Sequence, residues 1–267
     1  MSSTQSADQP KISIVTIVLN RREFIDGAIR NVLDQSYPNF EHIVVDGAST
    51  DGTLDIIKSY PHLRWISERD GGSVFALNKG LRLIQGDIFG WLNSDERYMP
   101  GIFHRVVEYF RQHPECDLLH GTWQYEDRHG KYLGRARHHP FNLHKQILGL
   151  NAIGAPSAMF MRRRALDGVG GQVDERWRDA YDHDLWIRVG RKFRIQGVNE
   201  CFSSFGLHQG SGMTGDPLRS WRETRLIRSH HGGDRRLIDR WLWIPYVEAK
   251  IELFRRLKWK RLTERAS

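Results

Sequence analysis

Apolar and polar positions change their period several times over the first hundred residues. Residues 11–19 are apolar nearly throughout and rich in β-branched side chains, the pattern of a central parallel strand buried on both faces. From residue 21 the spacing turns helical, with Phe24, Ala28, Val32 and Leu33 on one face, until Tyr37-Pro38-Asn39 stops it. Residues 40–45 predict a second strand, 53–60 a helix, 63–67 a third strand, and 73–84 a helix with Val74, Leu77 and Leu81 turned inward. After the turn signal Gly86-Asp87, the short apolar and aromatic run 88–92 predicts a fourth buried strand. Strands and helices alternating in this way predict an α/β fold, with a parallel, right-handed sheet covered on both faces.

Each of these strands delivers polar residues at its C-terminal end: Asn20, Asp46, Asp70 and Asp95. In a parallel sheet those ends lie along one rim, which is where open α/β sheets bind ligands. The fourth strand runs directly into Asn93-Ser94-Asp95-Glu96. Oxygen-rich side chains there suit Mg²⁺ or Mn²⁺, and a divalent ion suits a phosphate. The plainer alternative is a polar turn in which Asp95 only caps a helix beginning near Pro100. Repeated polar deliveries to one rim weigh against that alternative. The loops lack the Gly-x-Gly-x-x-Gly and Gly-x4-Gly-Lys-Ser/Thr spacings, so a bound nucleotide would be held by carboxylates and a metal.

The second half is less regular. It predicts a helix over 103–110 and a strand over 117–125, with a hairpin turn at 127–130. A loop containing Pro156 and Ser157 leads into a short apolar strand, and a helix follows over 162–168. A further helix starts at Asp182 with Leu185, Trp186 and Val189 packed, a strand spans 193–199, and residues 205–214 form a Gly-rich polar loop.

Composition changes this picture mainly at the chain's ends. Residues 1–10 are polar and lack the basic start and apolar run of a signal peptide, so they read as a disordered tail. No stretch approaches the roughly 20 apolar residues of a spanning helix, so the protein is expected to be soluble or attached only at a membrane surface, and its few cysteines suit a reducing, cytoplasmic setting. The two cysteines, Cys116 and Cys201, match no metal or redox spacing. The net charge is +8, but nine Lys or Arg against three Asp or Glu place +6 of it within 235–261. Trp241, Trp243, Tyr246, Phe254 and Trp259 interleave with those basic residues, which suggests a peripheral contact with an anionic membrane on its inner face. The alternative is a helix packed on the catalytic domain. A nucleic-acid partner is excluded, because the rest of the chain lacks the basic surface it needs.

Taken together, several segments resemble a family 2 glycosyltransferase of the GT-A fold. They are residues 13–20, Val45-Asp-Gly-Ala-Ser-Thr-Asp-Gly-Thr53, Ser67-Glu-Arg-Asp-Gly-Gly72, Ala76-Leu-Asn-Lys-Gly80, Gly90-Trp-Leu-Asn-Ser-Asp-Glu96, Val169-Gly-Gly-Gln-Val-Asp-Glu175 and Asp182-His-Asp-Leu-Trp-Ile-Arg188, closed by 205–211. Each is weak alone; their order and spacing are specific. The resemblance covers about 11–214. It implies a mostly parallel Rossmann-like sheet, with a nucleotide-sugar half (11–99) and an acceptor half (100–214); residues 215–267, outside it, read as a basic amphipathic helical extension.

The implied activity is inverting transfer of a sugar from a nucleoside-diphosphate sugar, UDP-linked by default, to a carbohydrate or lipid-linked sugar hydroxyl. The resemblance places Thr16, Asn20, Asp46, Asp70, Asn78, Lys79, Asn93 and Asp95 on the donor. It places Ser211 at the diphosphate, Asp95, Glu96 and His208 at a Mn²⁺ or Mg²⁺ ion, and Pro156 and Ser157 on the acceptor side. It makes Asp182 the general base and leaves Asp184 structural. Glu96 departs from the Asp common in relatives, as Leu19 and Leu77 do from an aromatic and an Arg. Two rivals remain at this level: a sugar nucleotidyltransferase, which would want a Gly-rich phosphate loop, and a non-catalytic nucleotide- or sugar-binding module.

Overall fold

The computed structural model describes residues 9–127, 129–150, 153–207 and 217–233, with scattered positions between 241 and 253. Four parallel strands form the first half of one sheet: β1 (Ile12–Val18), β2 (Phe40–Asp46), β3 (Arg64–Ser67) and β4 (Ile88–Trp91). β1 pairs β2 on one side and β4 on the other, and β3 pairs β2. β1 is buried at nearly every position, as an apolar run without alternation requires.

Ile12 and Ile14 pack with α1 (Arg22–Leu33) and α4 (Ile102–Gln112) on one face. Val15 and Val45 pack with α3 (Ser73–Leu81) and α7 (Tyr181–Lys192) on the other. A Cβ at Gly80 would stand 2.4 Å from Val15 Cγ1, so a glycine is what lets α3 lie this close to β1. α2 (Thr53–Lys58) covers the edge through Ile57.

The expected buried face of α1 is turned slightly. Ile25, Ala28, Ile29 and Val32 are buried, Phe24 is half-buried and Leu33 is exposed. The 25, 28, 29, 32 stripe is the complete i, i+3, i+4, i+7 repeat, and packing selects it.

The second half adds β6 (Leu118–Asp127), β7 (Tyr132–Arg135), β8 (Met159–Arg162) and β9 (Ile195–Leu207). β8 joins β4 antiparallel, β6 joins β8 antiparallel, and β9 runs parallel to β6. With the short strand β5 (Glu96–Tyr98) at one edge, the sheet order is β3-β2-β1-β4-β8-β6-β9-β5, and β7 pairs with β6.

Several differences from the sequence reading have physical causes. Residues 205–207 are not loop but the end of β9, paired with β6 and with the short strand β5 (Glu96–Tyr98). Three-residue β5 has no period to read; its partner defines it. α4 begins at Ile102 after Gly101, whose φ is +70°, so Asp95 does not cap it. α5 (Leu143–Leu148) was not anticipated; the Asn142 side chain caps it by accepting from Lys145 N–H.

α6 (Arg163–Gly168) leads toward α7. α8 (Pro217–His230), part of the expected tail, packs against the domain and buries Ile227 with Leu185 and Trp186. Most of 235–261 lies outside the described residues; within it Trp241, Leu242, Tyr246 and Leu253 are exposed. Among the described residues no helix is long and apolar enough to cross a membrane.

Candidate active site

The C-terminal ends of β1 and β4 open into a cleft of about 1080 Å³, which the start of α7 and the first turn of α8 also line. Its floor is built by a tied rim. Asn20 ends β1 with φ +51°, a conformation Asn tolerates better than most residues. Its Oδ1 accepts from Thr50 N–H at 2.9 Å, and its own N–H donates to Ser49 Oγ at 2.8 Å. Ser49 Oγ donates in turn to Asp46 Oδ1, and Ser67 Oγ donates to Asp46 Oδ2 at 2.6 Å. Asp46 is 0% exposed. Its carboxylate therefore holds the ends of β1, β2 and β3 in one arrangement rather than facing the cleft.

Asp70 lines the cleft and accepts from Gly72 N–H at 2.9 Å at the start of α3. Beside it the Arg178 guanidinium lies over the Phe75 ring at 4.3 Å.

At the exit of β4, Asn93 Oδ1 accepts from Trp91 Nε1 at 3.0 Å and Asn93 Nδ2 donates to Glu96 Oε1 at 3.0 Å. Asp95 and Glu96 both border the cleft, yet Glu96 is only 2% exposed. Burial, with the neighbouring Asp95 charge adding, pushes the Glu96 carboxyl up to about 7, against the pull of bonds from Asn93 and Ser157. Glu96 opens β5 opposite Phe205 of β9.

The donor set fits a divalent ion in one way. Asp95 offers a carboxylate at the cleft, and such ions are commonly held by one or two carboxylates together with substrate phosphates. Among the described residues no three His, Cys, Asp or Glu side chains converge to hold a metal alone. His208 and Ser211 lie outside the described residues.

Asp182 sits in the first turn of α7 and lines the cleft. Its Oδ1 accepts from His183 N–H at 2.8 Å. Burial pushes its carboxyl up to about 6 against that bond, and the Glu223 charge adds to the rise. Asp184 is buried and faces away. It bonds Arg188 Nε at 2.7 Å and His231 Nε2 at 2.8 Å, and although burial opposes it, these partners hold its carboxyl below the usual range. The two acids are thus set apart by environment, one desolvated at the cleft and one neutralised in the interior.

Pro156 lines the cleft, whereas Ser157 is buried behind it, bonded to Ser203 Oγ at 2.9 Å and to Glu96. Trp123 and Phe205 form an aromatic wall there. A Cβ at Gly154 would stand 1.7 Å from the Trp123 ring, so glycine lets the indole lie along this loop. Trp123, Arg178 and Arg219 went unnoticed in the sequence because no motif contains them.

Besides Asp46, three expected donor residues do not line the cleft. Thr16 is buried and bonds His42 Nε2 at 2.9 Å. Lys79 pairs with Glu68 at 2.8 Å. Asn78 is buried and pins α3 to the segment before α7: its Nδ2 donates to Val173 O and to Glu175 Oε1, each at 3.0 Å, and its Oδ1 accepts from Val173 N–H at 2.9 Å.

Asn78→Ala orphans the buried Val173 groups. It is expected to lower the unfolding free energy by roughly 2–4 kcal/mol in denaturant titration, with donor KM of the folded variant within about twofold of wild type. Unchanged stability with a large KM rise would return Asn78 to the donor site.

A model of glycosyl transferase family 2 matches residues 13–170. The putative teichuronic acid biosynthesis glycosyltransferase TuaG of Bacillus subtilis (strain 168) is 29% identical over 212 residues, covering 76% of this chain and 81% of that protein. The chain spans only 28% of another curated relative's length. Among solved structures, S. aureus TarS 1–349 in complex with UDP-GlcNAc superposes with a TM-score of 0.67 at 19% identity, over 81% of this chain and 65% of that one. The mannosyltransferase PcManGT from Pyrobaculum calidifontis, in complex with GDP-Man and Mn²⁺, gives 0.59 at 17% identity, over 97% of this chain and 73% of that one. These likenesses establish the GT-A fold.

Proposed function

The chain belongs to glycosyl transferase family 2, and from that premise we propose that it transfers a sugar, with inversion, from a nucleoside-diphosphate sugar to an acceptor hydroxyl. The observation that carries this reading is one cleft shared by the rim residues Asn20, Asp70 and Asp95 and by a desolvated carboxylate, Asp182. Asp182 takes the proton of the acceptor hydroxyl. The freed oxygen pair forms the new bond to the anomeric carbon, and the bond to the diphosphate breaks on the opposite face, its electrons leaving with the diphosphate. A Mn²⁺ or Mg²⁺ ion, when bound, neutralises charge on that diphosphate. Asp95 would hold the ion, and Asn93 orients the turn that presents Asp95.

Asp46 acts on the donor through the rim it ties, and the Pro156–Trp123 side receives the acceptor. UDP is the donor nucleotide in this reading, supported by the UDP-GlcNAc complex of the similar TarS. An acceptor in polysaccharide or glycoconjugate assembly is supported by the name of TuaG.

A screen of nucleotide-sugars with Mn²⁺ tests the reading. One donor is expected to raise Tm and to release nucleoside diphosphate slowly in the absence of acceptor. Stabilisation without release would favour a binding module. Release of nucleoside triphosphate and sugar 1-phosphate when pyrophosphate is added would favour a nucleotidyltransferase.

A further inference from the structure

Asp182 rises from a turn that another part of the chain holds. Glu223 of α8 accepts from three consecutive backbone N–H groups: Arg178 at 2.7 Å through Oε1, and Asp179 at 2.7 Å and Ala180 at 2.8 Å through Oε2. These are the N–H groups of the turn that leads into α7, the last of them at its N-cap Ala180, and a carboxylate satisfies them while complementing the positive end of the helix dipole. The same helix reaches the turn again through Arg219, which pairs with Asp179 at 3.2 Å. Just past α8, His231 bonds Asp184 at 2.8 Å, and its carbonyl accepts from Arg191 at 2.8 Å. The residues on both sides of Asp182 are therefore anchored to the segment 219–231. That segment lies beyond the stretch the family model matches, which ends at residue 170.

We propose that Glu223 is a positioning residue for the general base, its one carboxylate fixing the turn from which Asp182 enters the cleft. This rests on the reading of Asp182 as base. Without Glu223, the N–H groups of 178–180 lose their shared acceptor, and the first turn of α7 can wind differently. A small displacement of a proton acceptor is costly, because the transfer needs hydrogen-bond reach. The charged groups that share the cleft with Asp182 are Arg21, Asp70, Asp95, Glu96, Arg178, Asp179 and Arg219, with His183 and Asp184 following on the helix. Glu223 stands behind the turn, and its charge makes Asp182 more basic.

The test compares Glu223→Gln, Glu223→Asp and Asp182→Asn. Gln keeps the shape but has one carbonyl oxygen for three donors, and its NH₂ opposes one of them. Glu223→Gln is expected to fold, to bind nucleoside diphosphate as wild type does, and to lose roughly tenfold in kcat. The acid limb of its pH–rate profile moves to lower pH, since removing a negative charge eases ionisation of Asp182. Glu223→Asp, which keeps the charge, retains the wild-type limb while losing kcat.

A limb that moves in both variants alike, or in neither, overturns the proposal, as does an unchanged kcat in Glu223→Gln. If Asp182→Asn itself retains transfer, the base assignment fails instead, so the two failures are distinguishable.

Discussion

Asp182→Asn is expected to abolish measurable transfer, a loss of at least roughly 10²–10⁴-fold, while nucleoside diphosphate still binds. Asn keeps the bond from His183 N–H that Asp182 Oδ1 accepts at 2.8 Å, so the helix start is undisturbed and only the proton acceptor is gone. In the proposed mechanism the base works ionised, and burial pushes the Asp182 carboxyl up to about 6. Activity should therefore fall as pH drops through about 6, well above where an ordinary aspartate would matter.

The same raised value has a stability consequence. Burial favours the protonated form in the folded state, so this site's contribution to stability is full below the unfolded value near 3.8 and is lost as pH rises through about 6. At neutral pH the ionised Asp182 costs the fold roughly 1–3 kcal/mol. Asp182→Asn should therefore raise Tm at pH 7.5 and leave it nearly unchanged at pH 4. An inactive variant that is also less stable at pH 7.5 would point to a structural aspartate. Near wild-type transfer would sink the base assignment outright.

Asp95→Ala is expected to remove the metal-dependent part of nucleoside diphosphate binding. In calorimetric titration with Mn²⁺ present, affinity should fall by roughly 10- to 100-fold. In EDTA, wild type and variant should bind alike. Glu96→Gln is the informative comparison. Glu96 is buried and bonded to Asn93, and burial pushes its carboxyl up to about 7, so the amide should leave the Mn²⁺-dependent affinity within about threefold of wild type. Asp95 then carries the ion without its neighbour. An unchanged titration for Asp95→Ala would remove Asp95 from the metal site, and a large loss for Glu96→Gln would show that Glu96 turns out toward the ion when donor binds.

Part of this site was legible without coordinates. Strand runs that end in Asn20, Asp70 and Asp95 predict a polar rim, because consecutive parallel strands must expose the same end, and these residues do line one cleft. Asp182 was reachable only through the family pattern, since a lone acid at a helix start reads equally well as a cap. Side-chain direction was not legible. Asp46 sits at a rim position yet is closed off by Ser49 and Ser67. Asn78, from a motif that suggests donor contact, is used up by Val173 and Glu175. Ser157 lies behind Pro156 rather than beside it.

By itself, then, the sequence determined the local elements of the α/β half and the end of the sheet at which chemistry-bearing residues collect. Hydrophobic period is a local property, and parallel pairing makes its consequences predictable. Tertiary structure decided the rest. The pairing of β5 with β9 fixes Glu96 opposite Phe205, where it is buried in the cleft wall while Asp95 is the more exposed of the two. The docking of α8 brings Glu223 onto Ala180 across 43 positions of chain. No short-range pattern encodes either contact, because each depends on where a distant segment lands on the finished sheet.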